Sequence, residues 1–161
     1  MNEPIQTGVQ RRWASLVGFI VLCFGASAIG ALFPPDGWYK TLVRPSYAPP
    51  NWVFGPVWTV LYLMMAVSGW LVWTSKPGPG KAAALTAFFV QLILNSIWSV
   101  LFFGMHRPDL ALVDISLLWL AIACTVTLFR RHSTTAALLL LPYLAWVSFA
   151  ALLNYGFWSL N

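Results

Sequence analysis

Five apolar runs of about 20 residues each dominate the chain, at roughly 13–33, 52–74, 82–103, 110–129 and 136–157. A helix rises ~1.5 Å per residue, so a run of that length crosses the ~30 Å hydrocarbon core of a bilayer with its backbone polar groups bonded internally. Between the runs stand the residues that stop helices: Pro34, Pro35 and Gly37; Pro77, Gly78, Pro79 and Gly80; Gly104 and Pro108; then Arg130, Arg131 and His132. Almost nothing is left over for a water-soluble domain. The expected fold is an all-α membrane protein, a single five-transmembrane-helix bundle over residues 1–161.

Composition excludes the soluble alternative. The chain is 60% hydrophobic and 8% charged, with a mean hydropathy of +0.75, where ordinary globular domains are about 45–50% apolar and about 25% charged. The net charge of +5 does not point to nucleic acid, because the basic residues fall in short groups between apolar runs. Arg11, Arg12, Lys76, Lys81, Arg130 and Arg131 lie on one side of the predicted membrane, and Lys40, Arg44 and Arg107 on the other. Basic loops stay in the cytoplasm, so this six-to-three bias puts the N-terminus inside and the C-terminus outside; the expected location is a bacterial membrane, inner or outer, with the bias suggesting the inner. A second reading attaches to the first run: Arg11 and Arg12 precede an apolar stretch reaching Ala26, Ser27 and Ala28, a pattern like a signal-peptidase site. The continuation of that stretch to Phe33 favours a retained span. No mitochondrial targeting peptide is evident in residues 1–12.

The connection at 34–51 is far longer than the other three. Trp38, Tyr39, Tyr47 and Trp52 make it too aromatic for a solvated linker, and Pro45, Pro49 and Pro50 stiffen it. Two readings fit: a lid over a site, or an interfacial belt of the kind Trp and Tyr form at membrane surfaces.

Chemistry based on ionised side chains is poorly supplied. There is no paired carboxylate, no Ser, His and Asp set, no phosphate-cradling glycine loop and no His or Cys cluster. No metal site is expected; His106 and His132 fall in connections and read as solvated, and Cys23 and Cys124 as buried small hydrophobes. Polar and aromatic residues instead recur at helical spacing inside the spans. Phe54, Trp58 and Tyr62 share one face of the second; Gln91, Asn95 and Ser99 form a stripe beside Trp98 and Phe102 in the third; Tyr143, Trp146, Ala150 and Asn154 line up in the fifth. Buried amides and hydroxyls must be partnered, so these faces should turn inward. Each residue alone is explained by interhelical hydrogen bonding at about 0.6 kcal/mol; three stripes together suit a cavity for a flat, apolar ligand with polar edges. Asp114, the single mid-span acid, reads as a local cap, a partner of Arg107 or a ligand contact. Small pairs, Gly80 with Ala84, Ala83 with Ala87 and Ala26 with Gly30, allow close packing within the chain or between copies.

From about residue 30 onward the sequence resembles the translocator protein family, also called the tryptophan-rich sensory protein or TspO/MBR family. The likeness rests on Trp38 and Tyr39; Arg44 and Pro45 through Pro49, Pro50 and Trp52; Phe54, Trp58 and Tyr62; Asn95 and Trp98 before Phe102, Phe103 and Gly104; and Ala111, Leu112, Val113 and Asp114. It ends with Pro142, Tyr143, Leu144, Ala145 and Trp146, then Phe149, Ala150, Asn154 and Tyr155. The resemblance implies five helices, a homodimer through the third, and a cavity opening toward the first loop. It implies porphyrins (protoporphyrin IX or haem) or sterol-like rings as ligands, no required cofactor, and in some bacterial members light-dependent porphyrin breakdown. Tyr39, Pro49, Trp58, Asn95, Trp146, Ala150 and Asn154 match the family's pocket; Tyr62 and Trp98 join them from the stripes. Trp58 and Trp146 are the candidate catalytic residues should breakdown occur, although an enzyme is not the primary expectation; a regulatory membrane scaffold is a further alternative. Two departures stand out. Residues 156–161 carry no Lys or Arg, so the basic end of a cholesterol-recognition pattern is missing, and Tyr47 replaces a Trp of the family's first loop, which implies a softer lid.

Overall fold

The computed structural model describes residues 3–35 and 37–161, with side chains from Gln10 onward; Asp36, within the first connection, lies outside the described residues. Helix α1 (Glu3–Ala31) is followed by a short α2 (Gly37–Thr41), then α3 (Phe54–Thr74), α4 (Lys81–Ser99), α5 (Pro108–Arg130), α6 (Thr134–Leu139) and α7 (Leu141–Leu160). Five helical segments are long and apolar enough to cross a membrane: Gln10–Ala31, Asn51–Thr74, Lys81–Gly104, Pro108–Arg130 and Thr134–Leu160.

Local chemistry sets the ends. Gly80 takes φ +81, the left-handed region that a glycine occupies without steric cost, and turns the chain into α4. Pro108 and Pro142 stand in the first turns of α5 and α7, where the missing N–H costs nothing. Pro142 also interrupts the fifth span: α6 stops, Leu140 sits between the two helices, and the sequence reading of one uninterrupted helix over 136–157 is corrected to two helices in one span. Ser133 caps α6, its hydroxyl accepting from the Ala136 N–H at 3.2 Å. At the far end of α4, Val100–Gly104 widens into a π-turn, and His106, at φ 54, reverses the chain toward α5.

The helices form a closed ring, α1 against α3, α3 against α6 and α7, α7 against α5, α5 against α4, and α4 back against α1. Lipid offers no hydrophobic drive to hold such a ring, so close approach and hydrogen bonds must do it. A Cβ on Gly69 of α3 would stand 2.7 Å from the Phe19 ring and 2.9 Å from that of Phe88, and one on Gly30 would stand 2.9 Å from Ser99 Oγ. The Ser68 hydroxyl donates to the Ala136 carbonyl at 2.8 Å, and that of Ser96 to the Ala26 carbonyl at 3.2 Å. The Ala26 and Gly30 pair therefore serves α1–α4 packing within the chain, and the segment resembling a cleavage site is an integral part of the bundle. Ala84 is likewise buried inside the chain. Cys23 is fully buried, as expected, but Cys124 is exposed on the lipid face of α5, which corrects the reading of both as buried.

Candidate functional site: an aromatic chamber in the loop-side half of the bundle

The half of the ring near 75–80 and 131–133 is filled by Phe19, Met65, Val72, Phe88, Ile122, Phe129 and Leu140. The other half is hollow. A cavity of about 480 Å³ lies there, walled by α1, α3, α4, α5 and α7 and roofed by the first connection.

Its floor is a hydrogen-bonded set. The Tyr62 hydroxyl donates to Asn95 Oδ1, and Asn95 Nδ2 donates to the Tyr143 hydroxyl at 3.1 Å. Tyr62 is 6% exposed and Tyr143 not at all, so this amide is shared between two phenols that lack water on at least one side. Above it stand two indoles. Trp58 lies 5.5 Å from the Tyr62 ring at 31° and 6.2 Å from that of Tyr143 at 66°; Trp146 packs edge-on against Phe54 at 5.9 Å. Trp146 Nε1 is buried and has no hydrogen-bond partner among the described residues.

The α4 wall carries a different kind of contact. Trp98 stacks on Phe102 at 5.1 Å and 21° and donates its indole N–H to Asn154 Oδ1 at 2.9 Å. Asn154 Nδ2 donates to the Pro108 carbonyl at 2.8 Å. Asn154 thus ties α7 to α4 and to the start of α5, with both amide atoms engaged.

The roof is anchored at several points. Tyr39, on α2, is buried among Phe102, Phe103 and Phe157, at ring distances of 6.5, 5.5 and 5.5 Å; burial raises its phenol above the usual value, with Arg44 opposing. Trp38 stacks on His106 at 4.4 Å and 17°. Arg44 clamps the loop on itself, Nη1 donating to Asn51 Oδ1 and Nη2 to the Pro49 carbonyl, both at 2.9 Å. The Tyr47 hydroxyl donates to the Leu152 carbonyl at 3.1 Å, and Asn161 pairs with the Val43 backbone through Oδ1 at 2.8 Å and Nδ2 at 3.2 Å. A Cβ on Gly156 would stand 2.4 Å from the Tyr47 hydroxyl and 2.7 Å from Pro45 Cγ, so only glycine lets the loop lie this close to α7.

Of the nine residues picked from sequence, Tyr39, Trp58, Tyr62, Asn95, Trp98, Trp146, Ala150 and Asn154 line the chamber together. Pro49 does not: the Arg44 clamp takes its carbonyl, and Asn51 lines the wall instead. Arg107 pairs with Asp109, Nη2 to Oδ2 at 2.6 Å, and this corrects the pairing with Asp114 considered above; Asp114 is buried with Oδ2 unpartnered among the described residues. Gln91 is buried below the floor, away from the chamber, and both its amide atoms lack partners among the described residues. His106 is not simply solvated, since its ring carries Trp38. Of the loop aromatics, Trp52 is 75% exposed whereas Tyr39 is buried and faces inward, so the connection carries a feature of each reading. Sequence reasoning passed over Phe33, Pro34, Ile115, Leu118 and Phe157, all of which line the chamber. Ile115 and Leu118 lie just after Asp114 on α5, and their spacing does not separate them from the other aliphatics of that helix.

The comparisons with known proteins agree in class. The TspO/MBR family model matches residues 19–159. The tryptophan-rich protein TspO of Chlorobaculum tepidum is 44% identical over 146 residues, 88% of this chain and 92% of that one. Protein CrtK of Rhodobacter capsulatus is 38% identical, covering 89% of this chain and 90% of its own. The translocator protein of Homo sapiens is 39% identical, covering 92% and 91%. With a family match across most of its length and five helices able to span a bilayer, the chain is an integral membrane protein that belongs to the TspO/MBR family.

Proposed function

We propose that this protein is a membrane receptor or transporter that takes a porphyrin, or a comparable flat hydrophobic ring such as a sterol-like molecule, into the chamber between α3, α4 and α7. The observation that carries the proposal is the pair of indoles, Trp58 and Trp146, standing with Tyr62 around one hollow of about 480 Å³, within the range of ~300–1,000 Å³ typical of small-molecule sites. Faces of tryptophan suit a planar π system. The amides of Asn95 and Asn154 are occupied by Tyr62, Tyr143, Trp98 and Pro108, so the aromatic faces rather than those amides make the main contact with the ring. The docked first connection acts as lid. Trp58→Phe with Trp146→Phe should weaken protoporphyrin IX binding at least tenfold and remove most tryptophan quenching by the bound ring; unchanged affinity and quenching would overturn the proposal.

A second reading is light-dependent breakdown of the bound porphyrin. It draws support from the 5.5 Å contact of Trp58 with Tyr62: the excited porphyrin takes one electron from Trp58, the Tyr62 phenol refills the hole on the indole, and dissolved dioxygen is the co-reactant that oxidises the reduced ring. Illumination of the purified complex separates the readings. A defined product lost on Trp58→Phe supports breakdown, and bleaching equal to that in detergent alone excludes it. A homodimer through the exposed face of α4 belongs to the same proposal and is checked by cross-linking at Ala83.

A further inference from the structure

The end of the bundle opposite the chamber carries a second concavity, of about 590 Å³, between two connections. One side is Ser75, Lys76, Pro77, Gly78, Pro79 and Gly80; the other is Arg131 and His132. Lys76 and Arg131 are exposed, no carboxylate stands among the described residues that line the groove, and the one ion pair among the described residues, Arg107 with Asp109, lies at the other end. The groove is also built rather than incidental. Lys81 Nζ donates to the Trp73 carbonyl at 2.8 Å and to that of Ser75 at 2.7 Å, folding the 75–80 connection back over the start of α4 and spending its own charge on doing so. Pro77 and Pro79 stiffen the same segment. Among the described residues no such internal bond holds Lys76 or Arg131.

Position decides what meets these cations. The apolar segments end at Thr74 and Arg130 and resume at Lys81 and Thr134, so the groove sits at the level where hydrocarbon gives way to headgroups. Trp73, 53% exposed, flanks it, as an interfacial anchor does. We propose that the groove seats the phosphate of an anionic phospholipid headgroup, held by Lys76 and Arg131 with a ring N–H of His132 as a further donor. Arg131 supplies a planar fork matched to phosphate oxygens, and Lys76 a point charge. General attraction of basic loops to an anionic leaflet would not discriminate among the cations of this end; a built groove does, since Arg130 is exposed next to Arg131 but does not line it.

The test uses the full chain in nanodiscs and detergent. Each basic contact near a lipid surface is worth about a fivefold factor in affinity, so Lys76→Gln with Arg131→Gln should lower retention of phosphatidylglycerol over phosphatidylcholine, measured by native mass spectrometry, roughly 25-fold. Arg130→Gln should leave it within about twofold of the unsubstituted protein, and Lys76→Arg should keep most of the preference that Lys76→Gln loses. Equal retention by the double variant, or an equal loss in Arg130→Gln, would overturn the proposal. Inorganic phosphate is the third arm: displacement of the lipid by millimolar phosphate would assign the groove to a free anion and overturn the lipid assignment, and resistance to it supports the headgroup.

Discussion

Replacing Asn95 by leucine should destabilise the protein by about 2–4 kcal/mol, and restoring stability should require removing more polar groups, not fewer. Leucine fills nearly the same space but supplies neither the acceptor that Tyr62 uses nor the donor that Tyr143 uses. Each buried polar group left without a partner costs about 1–3 kcal/mol, whereas side-chain hydrogen bonds measured within membranes average about 0.6 kcal/mol. The structure places the two phenols at different points on that scale. Tyr143 is wholly buried, so its oxygen has no replacement donor and the upper figure applies. Tyr62 borders the chamber, where water can accept its proton, and the lower figure applies. The triple variant Asn95→Leu, Tyr62→Phe, Tyr143→Phe strands nothing and should be more stable than Asn95→Leu alone by at least about 1 kcal/mol. Unfolding in mixed micelles, followed by a thiol dye at the fully buried Cys23 in a Cys124→Ala background, reads both values. Losses that simply add across the three positions would refute the reasoning, because they would mean that each group contributes on its own and not through a shared network.

Gly156→Ala forces a methyl into the space held by Pro45 and the Tyr47 hydroxyl; Tyr47 can swing away but the buried Pro45 cannot, so an overpacking cost of about 1–3 kcal/mol should fall on the docked loop, seen as faster ligand release and faster proteolysis within 42–50. Tyr39 titrates above the usual value of 10 because burial outweighs the opposing charge of Arg44. A raised acid pKa means the docked loop binds a proton that the released loop gives up, so docking is fully favoured below the unfolded pKa and is lost as pH rises through the folded one; Tyr39→Phe should remove that alkaline loss, read by fluorescence of Trp38. The charge bias predicts that a membrane-impermeant thiol reagent labels Lys40→Cys but not Lys76→Cys in intact cells carrying no other reactive cysteine, and the opposite pattern would reverse the orientation.

Much of this architecture is legible in the sequence because a bilayer permits so few solutions. Five runs of sufficient length demand five helices, and polar side chains within them must turn toward one another; hence the stripes on α3, α4 and α7 converge. What the stripes could not tell is how the polar groups are spent. Asn95 and Asn154 look alike as intramembrane amides, yet one bridges two phenols and the other ties Trp98 to the start of α5, a pairing set by helix rotation rather than by periodicity. Pro49 was placed by resemblance and displaced by a local hydrogen bond from Arg44, a contact within the loop that spacing does not encode. The π-turn at Val100–Gly104 puts one more residue in the turn, which brings both Phe102 and Phe103 to the chamber; nothing in a 3.6-residue repeat anticipates it. Ile115 and Leu118 are ordinary aliphatics on an apolar helix, indistinguishable in sequence from the lipid-facing Leu117 and Leu120 beside them.

Ala150 lines the chamber from α7 and carries the smallest side chain on that wall, which makes it the place to close the hollow while leaving Trp58 and Trp146 unchanged. The affinity of Ala150→Trp for protoporphyrin IX in nanodiscs, compared with the unsubstituted protein at matched thermal stability, tests the chamber directly. A loss of at least tenfold with the fold intact is the predicted result; unaltered affinity in a folded Ala150→Trp protein would place the porphyrin somewhere else and contradict the account.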